Sequence, residues 1–283
     1  MAADMKMPIG VFASIGAGLG AQIDAVGEMG VDSVQIVAPP DEYCTPDHAQ
    51  KVAKQFADIG VEPTLVFCGF PGESYASIQA VRDTVGLVPE DTREERIERT
   101  RRIADFAKQL GAPGIGLHAG FISEDWESQA FSDVVDVLKH VCDYCAGLDL
   151  RVNLETGQES VETLLHTLEE VGRENLGVNF DPANMILYGS GEPLEALQRV
   201  GEYVRSVHAK DAVWSDQPGE TFGEEVPLGD GDVNMEKFLK ILDGLGYENP
   251  LTIEREIAGE EQIQDIKAGI QTLRTLKEKL GIA

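Results

Sequence analysis

Four residues of metal-ligand type close short apolar runs in the second half of this 283-residue chain. VNLE ends at Glu155, GVNFD at Asp181, VRSVH at His208 and LTIE at Glu254. Each run has the length and composition of a β-strand. If the strands are neighbours, three carboxylates and an imidazole converge, and carboxylates held that close need a cation between them. Such a set suits Mn²⁺, Mg²⁺, Co²⁺ or Zn²⁺, with no thiolate to favour a softer ion. Taken singly, each residue has a plainer use. A strand-end carboxylate can cap the next helix, as Asp181 before Pro182 and Glu155 before Thr156-Gly157 could do. A histidine ending an apolar strand can be a satisfied core residue. Lys210 lies two places past His208, on the same side of the strand. It could donate to a substrate oxygen, stabilise an enolate, or simply pair with nearby carboxylates.

The elements that must carry these residues alternate along the chain. Strand-like runs fall at Pro8–Ser14, Ser33–Ala38, Pro63–Gly69, Gly114–Gly120, Arg151–Glu155, Gly177–Asp181, Arg205–Lys210 and Leu251–Arg255. Helical spacing fills the intervals: Ala21–Met29, Thr45 to Gly60 with Pro46 in the first turn, Thr92 to about Leu110, Glu124–Gly147, Val161–Val171, Pro193–Val204, Met235–Leu245 and Gln262–Leu280. Thr92 with Glu95 has the spacing of a capping box. Two connections are long. Phe70–Asp91 has a turn or two of helix expected at Ser77–Arg82, Ala212–Asp232 follows strand seven, and an irregular stretch runs from Asp181 to Gly191.

Strands alternating with helices require a parallel sheet, and eight such units in this length predict a closed (β/α)8 TIM barrel. No linker or compositional break appears, so residues 1–283 are read as one domain. A doubly wound open sheet is the alternative, but GAGLG at Gly16, Gly18 and Gly20 is not the dinucleotide fingerprint. In a barrel the four ligand-type residues close strands five to eight and share the carboxyl-end rim. His118, at the end of strand four, is expected on the adjoining rim as a substrate contact, and Glu256 shares the inward side with Glu254. Tyr75 and Trp214, in the long connections, are candidate lids, since sugar rings pack their C–H faces on aromatics. Arg255 should face outward towards helix carboxylates. His48, His140 and His166 fall in helices and are expected at the surface.

Composition excludes several classes. Fifty acidic residues against 23 basic ones leave a formal charge of −27, which repels nucleic acid and anionic membranes. The 4 cysteines do not form a disulfide framework, and Cys142 and Cys145 lie inside a helical pattern without a second pair. The N-terminal MAADMKMPIGVFA is too short and polar-flanked for a signal peptide or membrane span, so a cytoplasmic protein is expected.

With VNLETG, FDPANMILYG, HAKDA and IERE in place, the chain resembles the xylose-isomerase-like sugar isomerase/epimerase superfamily over nearly its whole length. The order Glu, Asp, His, Glu resembles the single-metal ketose 3-epimerase and isomerase branch. That resemblance implies that Glu155, Asp181, His208 and Glu254 bind one divalent ion. It also implies that Glu155 and Glu254 serve as the acid/base pair, and that a ketose is isomerised or epimerised through a cis-enediolate. Two positions depart from that branch. Asn184 replaces a substrate-contacting histidine, and Lys210-Asp211 stands where an arginine follows the metal histidine. HAKDA and PLGDGDV (Pro227–Val233) are more similar to the sugar phosphate isomerase/epimerase and inosose-dehydratase-like branch, which makes a lyase on a keto-sugar or keto-cyclitol the second expectation. Apurinic endonucleases share the barrel but need more histidines and a basic face. A sugar-binding barrel without turnover is the non-enzymatic alternative. Relatives often pair through the barrel rim, which implies a homo-oligomer. With no clear phosphate-binding glycine loop after strand seven or eight, a neutral sugar is expected.

Overall fold

The computed structural model describes residues 6–15 and 20–282. The glycine-rich turn expected after the first strand, with Gly16 and Gly18, lies outside the described residues, as do residues 1–5. Eight strands form the barrel: β1 (Ile9–Ser14), β2 (Ser33–Val37), β3 (Glu62–Phe67), β4 (Gly114–Leu117), β5 (Arg151–Glu155), β6 (Leu176–Phe180), β7 (Val204–Ala209) and β8 (Leu251–Ile253). Each pairs in parallel with the next. β8 pairs back onto β1, with Ile9 opposite Leu251 and Val11 opposite Ile253. The sheet therefore closes, and the open doubly wound alternative is excluded.

Helices cover the outside of the barrel and its carboxyl-end rim: α1 (Ile23–Gly27), α2 (Pro46–Ile59), α3 (Ile78–Thr84), α4 (Glu90–Leu110), α5 (Gln129–Gly147), α6 (Val161–Val171), α7 (Pro182–Tyr188), α8 (Pro193–Val200), α9 (Met235–Gly244) and α10 (Glu260–Leu280). α2 starts as its sequence dictates, with Thr45 Oγ1 accepting from the His48 amide at 3.3 Å and Pro46 at the first position. It stops at Gly60, whose φ of 72° suits glycine. α3 realises the short helix expected in the long connection, with Ser77 as its cap.

Three expected boundaries are corrected. α4 begins at Glu90 with Pro89 before it, so Thr92 lies inside the first turn and makes no capping box. Its hydroxyl is buried without a partner. α5 begins at Gln129 rather than Glu124, because Ser123, Asp125 and Ser128 hydrogen-bond one another into a turn, and Ser128 then caps the helix. The stretch after Asp181 is helical, as α7. The connection after β7 also holds a two-stranded antiparallel hairpin, Asp211–Val213 against Glu224–Val226.

The carboxyl-end loops are pinned from below by buried arginines of α4. Arg99 donates to Gly69 O at 2.7 Å and Pro39 O at 3.3 Å, joining the loops after β2 and β3, and it also pairs with Asp41. Arg96 donates to Gly86 O at 2.6 Å. Asp211 does the same after β7. Its carboxylate accepts from the amides of Ala212, Gly229, Gly231 and Val233 at 3.0–3.1 Å, which shapes the PLGDGDV segment. Cys142 and Cys145 are buried in α5, and burial pushes both thiols up to about 12. They are packing residues. Arg255 faces outward and pairs with Asp265 of α10 and with Glu225. Among the described residues, no helix is long and apolar enough to cross a membrane.

Candidate metal centre and active site

The inside of the barrel is divided by chemistry. Phe12 of β1 and Phe67 of β3 stack edge to face at 5.5 Å, and both rings lie against the His208 imidazole, at 5.6 and 5.3 Å. Phe67 fits there because Gly116 of β4 has no side chain, since a Cβ would come within 2.5 Å of the ring. The opposite half, from β5 to β7, is polar. Asn153 donates to Ser206 Oγ at 2.8 Å, Ser206 donates to Asn179 Oδ1 at 2.6 Å, and Gln35 Nε2 reaches the same oxygen at 3.3 Å. This buried layer lies directly beneath the four candidate ligands.

Glu155, Asp181, His208 and Glu254 are all buried, and each offers a ligand atom within 4.8 Å of the others. His208 Nδ1 is 2.7 Å from Glu155 Oε1, 3.3 Å from Asp181 Oδ2 and 3.2 Å from Glu254 Oε2. The other ring nitrogen, Nε2, is 2.8 Å from Gln35 Oε1. Gln35 Nε2 already donates to Asn179, so Gln35 Oε1 is an acceptor and Nε2 of His208 carries the proton. Nδ1 is thereby turned towards three carboxylates, whose charges favour a proton on it while no metal is bound. Once a metal ion displaces that proton, the Nδ1 lone pair and the three carboxylates form a donor set that fits a hard or borderline divalent ion.

Asp181 caps the next helix and also turns an oxygen to the cluster. Oδ1 accepts from the Asn184 amide at 2.9 Å and caps α7, while Oδ2 faces His208. Thr156 Oγ1 clamps the same corner, accepting from Asp181 N at 2.8 Å and donating to Asp181 O at 2.9 Å. Asn184 Nδ2 reaches Glu155 Oε1 at 3.3 Å, and its Oδ1 accepts from Lys210 at 3.2 Å.

His118 stands on the adjoining rim, with Nε2 2.9 Å from Glu155 Oε2 and Nδ1 3.2 Å from Gln158 Nε2. Burial alone would lower the His118 pKa, but the Glu155 charge and hydrogen bond outweigh it and raise it to about 9. Lys210 is fully buried. Its ammonium is 3.0 Å from Glu254 Oε2 and 3.8 Å from Asp181 Oδ2, and it pairs with Glu256. Burial would push the Glu254 carboxyl up, yet His208 and Lys210 hold it down at about 2. The same contest, won by His118 and His208, keeps Glu155 well below the usual carboxylate range.

A cavity of about 220 Å³ opens above this cluster, lined by Tyr75, His118, Asn184, Tyr188, Phe222 and Glu256 among others. Tyr75 is therefore on the wall of the cavity. Trp214 is not. It packs partly buried against the barrel core, its amide donating to Asp232, and it does not line the cavity. Tyr188 and Phe222, whose rings meet at 5.3 Å, supply aromatic wall instead. His166 stacks on Trp126 at 4.2 Å, away from the cluster. A cavity of about 380 Å³ at the opposite end, by Ile9, Asp32 and Lys277, brings no such ligand group together.

The sequence reading missed Gln35, Asn153, Asn179, Ser206, Gln158, Tyr188 and Phe222. A signal for the inner layer was present. Asn153, Asn179, Ser206 and Thr252 each precede a candidate ligand by two residues, and so share its inward face.

The chain belongs to the xylose isomerase-like TIM barrel family, which it matches over residues 23–276. A xylose isomerase domain protein from Planctomyces limnophilus is 45% identical in sequence, with a TM-score of 0.96 over 98% of this chain and 100% of that one. A D-tagatose 3-epimerase-like protein is similar at 19% identity and a TM-score of 0.70, covering 97% of this chain and 100% of its own. A probable 3-DHS dehydratase from Bacillus anthracis is similar at 19% identity and a TM-score of 0.66, covering 89% and 92%. At such identities the last two speak for the fold.

Proposed function

We propose that the protein is a divalent-metal-dependent isomerase or epimerase of a neutral keto-sugar, with Glu155 and Glu254 as its acid/base pair. The observation that carries this reading is His208 Nδ1, aimed by the Gln35 bond at Nε2 and surrounded by Glu155, Asp181 and Glu254. These four residues would hold the ion, which when bound would polarise a ketose carbonyl and acidify the neighbouring C–H. Glu155 and Glu254 come from strands on either side of β7, so they can approach a substrate from different directions. One removes the C–H proton to give a cis-enediolate, and the other returns a proton to the opposite face or the adjacent carbon. His118 orients Glu155 through Oε2, and Lys210 orients Glu254 through its own Oε2. Tyr75, Tyr188 and Phe222 keep bulk water from the reacting carbons, and Asn184 is positioned to donate to a sugar hydroxyl.

The test is solvent-deuterium incorporation into a panel of keto-sugars by Mn²⁺-treated and chelator-treated protein. Exchange that requires metal supports the reading, and no exchange with any sugar refutes it. A lyase reading is favoured by one feature, the buried Lys210 ammonium beside Glu254 and Glu256, which could assist departure of a β-hydroxyl. Product mass separates the two, since dehydration removes a water and isomerisation removes nothing.

A further inference from the structure

Beside the proposed catalytic cavity lies a second one, of about 490 Å³, whose wall includes Phe121, Gln158, Glu159, Tyr188 and Ser190. Tyr188 borders both cavities. Gln158 links them chemically, because one end of its amide reaches His118 Nδ1 at 3.2 Å and the other end is buried on the second cavity's side of the wall. Three atoms of this wall are buried without a protein partner: Gln158 Oε1, Glu159 Oε2 and Ser190 Oγ. Gln158 is only 3% exposed and Glu159 6%. Buried polar atoms of this kind are costly unless something hydrogen-bonds them.

The chemistry of the wall selects its occupant. Ser190 can donate or accept, and so can Glu159, whose carboxyl is pushed up to about 7 by burial, so hydroxyl groups, which do both, suit this wall. Arg82, stacked over Phe121 at 4.0 Å, shares the wall with Glu124 and with this raised Glu159 carboxyl, so the wall carries little net charge and suits a neutral occupant. Phe121 and Tyr188, whose rings meet edge-on at 6.0 Å, add an aromatic surface for the C–H face of a sugar ring. The first cavity, at about 220 Å³, is small for two rings.

We infer that the second cavity is a subsite for a neutral, polyhydroxylated ring attached to the reacting keto-sugar, so that the preferred substrate is a ketose-containing disaccharide or glycoside. The inference rests on reading the first cavity as a sugar-enolising site. The reacting ring sits over Glu155 and Glu254, and the attached ring passes Tyr188 to reach Gln158, Glu159 and Ser190.

The test compares D-fructose with glucosyl-fructoses joined through each ketose hydroxyl from O3 to O6 (turanose, maltulose, leucrose and isomaltulose). Binding is read by saturation-transfer NMR with Mg²⁺ present, and turnover by deuterium incorporation. At least one disaccharide binds about tenfold tighter than fructose, the gain from two or three added neutral hydrogen bonds. Ser190→Leu, which removes the hydroxyl and narrows the cavity, removes that advantage and leaves fructose affinity within about twofold of its starting value. Glu159→Gln keeps the side-chain shape and weakens the disaccharide alone, which covers the case in which the leucine impairs folding. The subsite is refuted if no disaccharide binds tighter than fructose, or if the variants weaken both sugars equally. Absence of deuterium exchange in every sugar would count against the enolising centre instead, while the binding comparison still decides the subsite.

Discussion

Gln35 offers the sharpest test of the metal centre, because it is far from the ligands in sequence and touches no substrate. Its Oε1 accepts the His208 Nε2 proton at 2.8 Å and its Nε2 donates to Asn179 Oδ1 at 3.3 Å. In Gln35→Leu, His208 loses the partner that fixes its tautomer and ring angle. Removal of such a support typically lowers metal affinity by about 10–100-fold, roughly 1.4–2.7 kcal/mol. Folding is affected less. Asn179 Oδ1 keeps its bond from Ser206 at 2.6 Å, so a single buried donor is left unpaired. That costs on the order of 1–3 kcal/mol, a fall of a few degrees in Tm for a chain of this length.

The assay is competition between the protein and a chelator for Mn²⁺, beside thermal unfolding in the absence of metal. Gln35→Glu is the rescue, since a carboxylate also accepts from Nε2 and raises the basicity of Nδ1, so metal affinity should equal or exceed that of the original. If Gln35→Leu binds Mn²⁺ unchanged while losing stability, Gln35 is a packing residue. His208 Nδ1 would then not be a ligand held in a set tautomer, and the centre would lose its main physical support.

Further outcomes follow from the same geometry. Glu155→Gln keeps measurable metal binding but lowers deuterium exchange by about 10²–10⁴, the usual contribution of a positioned acid or base, and full activity would remove Glu155 from that role. Lys210→Met leaves Asp181, Glu254 and Glu256 without their buried cation and destabilises metal-free protein by roughly 3–5 kcal/mol. Saturating Mn²⁺ narrows the gap, and an unchanged Tm without metal would contradict this charge balance. His118 has its pKa raised from 6.5 to about 9 in the folded protein. Its contribution is therefore complete below pH about 6.5 and is lost as pH climbs through about 9, on the order of 3 kcal/mol. Urea unfolding of metal-free protein across that window should show the decline, and His118→Gln should flatten it. In His208, burial opposes the proton, but the Glu254 and Glu155 charges outweigh burial and raise the pKa well above its ordinary value. Metal uptake near neutral pH therefore releases protons, so affinity rises with pH, and calorimetry in buffers of different ionisation enthalpy measures the release.

The barrel and the four ligand positions were legible because each rests on a strong local pattern. A strand of alternating faces ends in a charged residue, and closure of eight parallel strands puts those ends on one rim. What depended on contacts distant in sequence was not legible. Gln35 meets His208 across 173 residues, and its strand carries no mark of a partner three strands away around the barrel. Tyr188 was hidden because the stretch after Asp181 read as irregular, although Asp181 and Pro182 are together a helix start. The Thr92 capping box failed through competition. Glu90 and Asp91 place acidic charge in the first turn, the helix starts ahead of Thr92, and the favourable spacing goes unused. Trp214 was assigned to the lid from its loop, but a large apolar ring gains more by packing on the barrel core than by waiting over a small cavity.

The charges at the rim also explain why a lysine stands where it does. Glu155, Asp181 and Glu254 carry three negative charges into a buried place, and a dication alone would leave one of them uncompensated. Lys210, fixed among Asp181, Glu254 and Glu256, supplies the missing positive charge from within the fold. A bound dication together with Lys210 balances the three ligand carboxylates, while Glu256 is partly open to water and can be screened there. His118 is then free of the need to neutralise Glu155 and can act as a neutral donor to it. Strand-end lysine and a bound ion would on this account be two parts of one neutralisation, leaving the three carboxylates balanced before any substrate arrives.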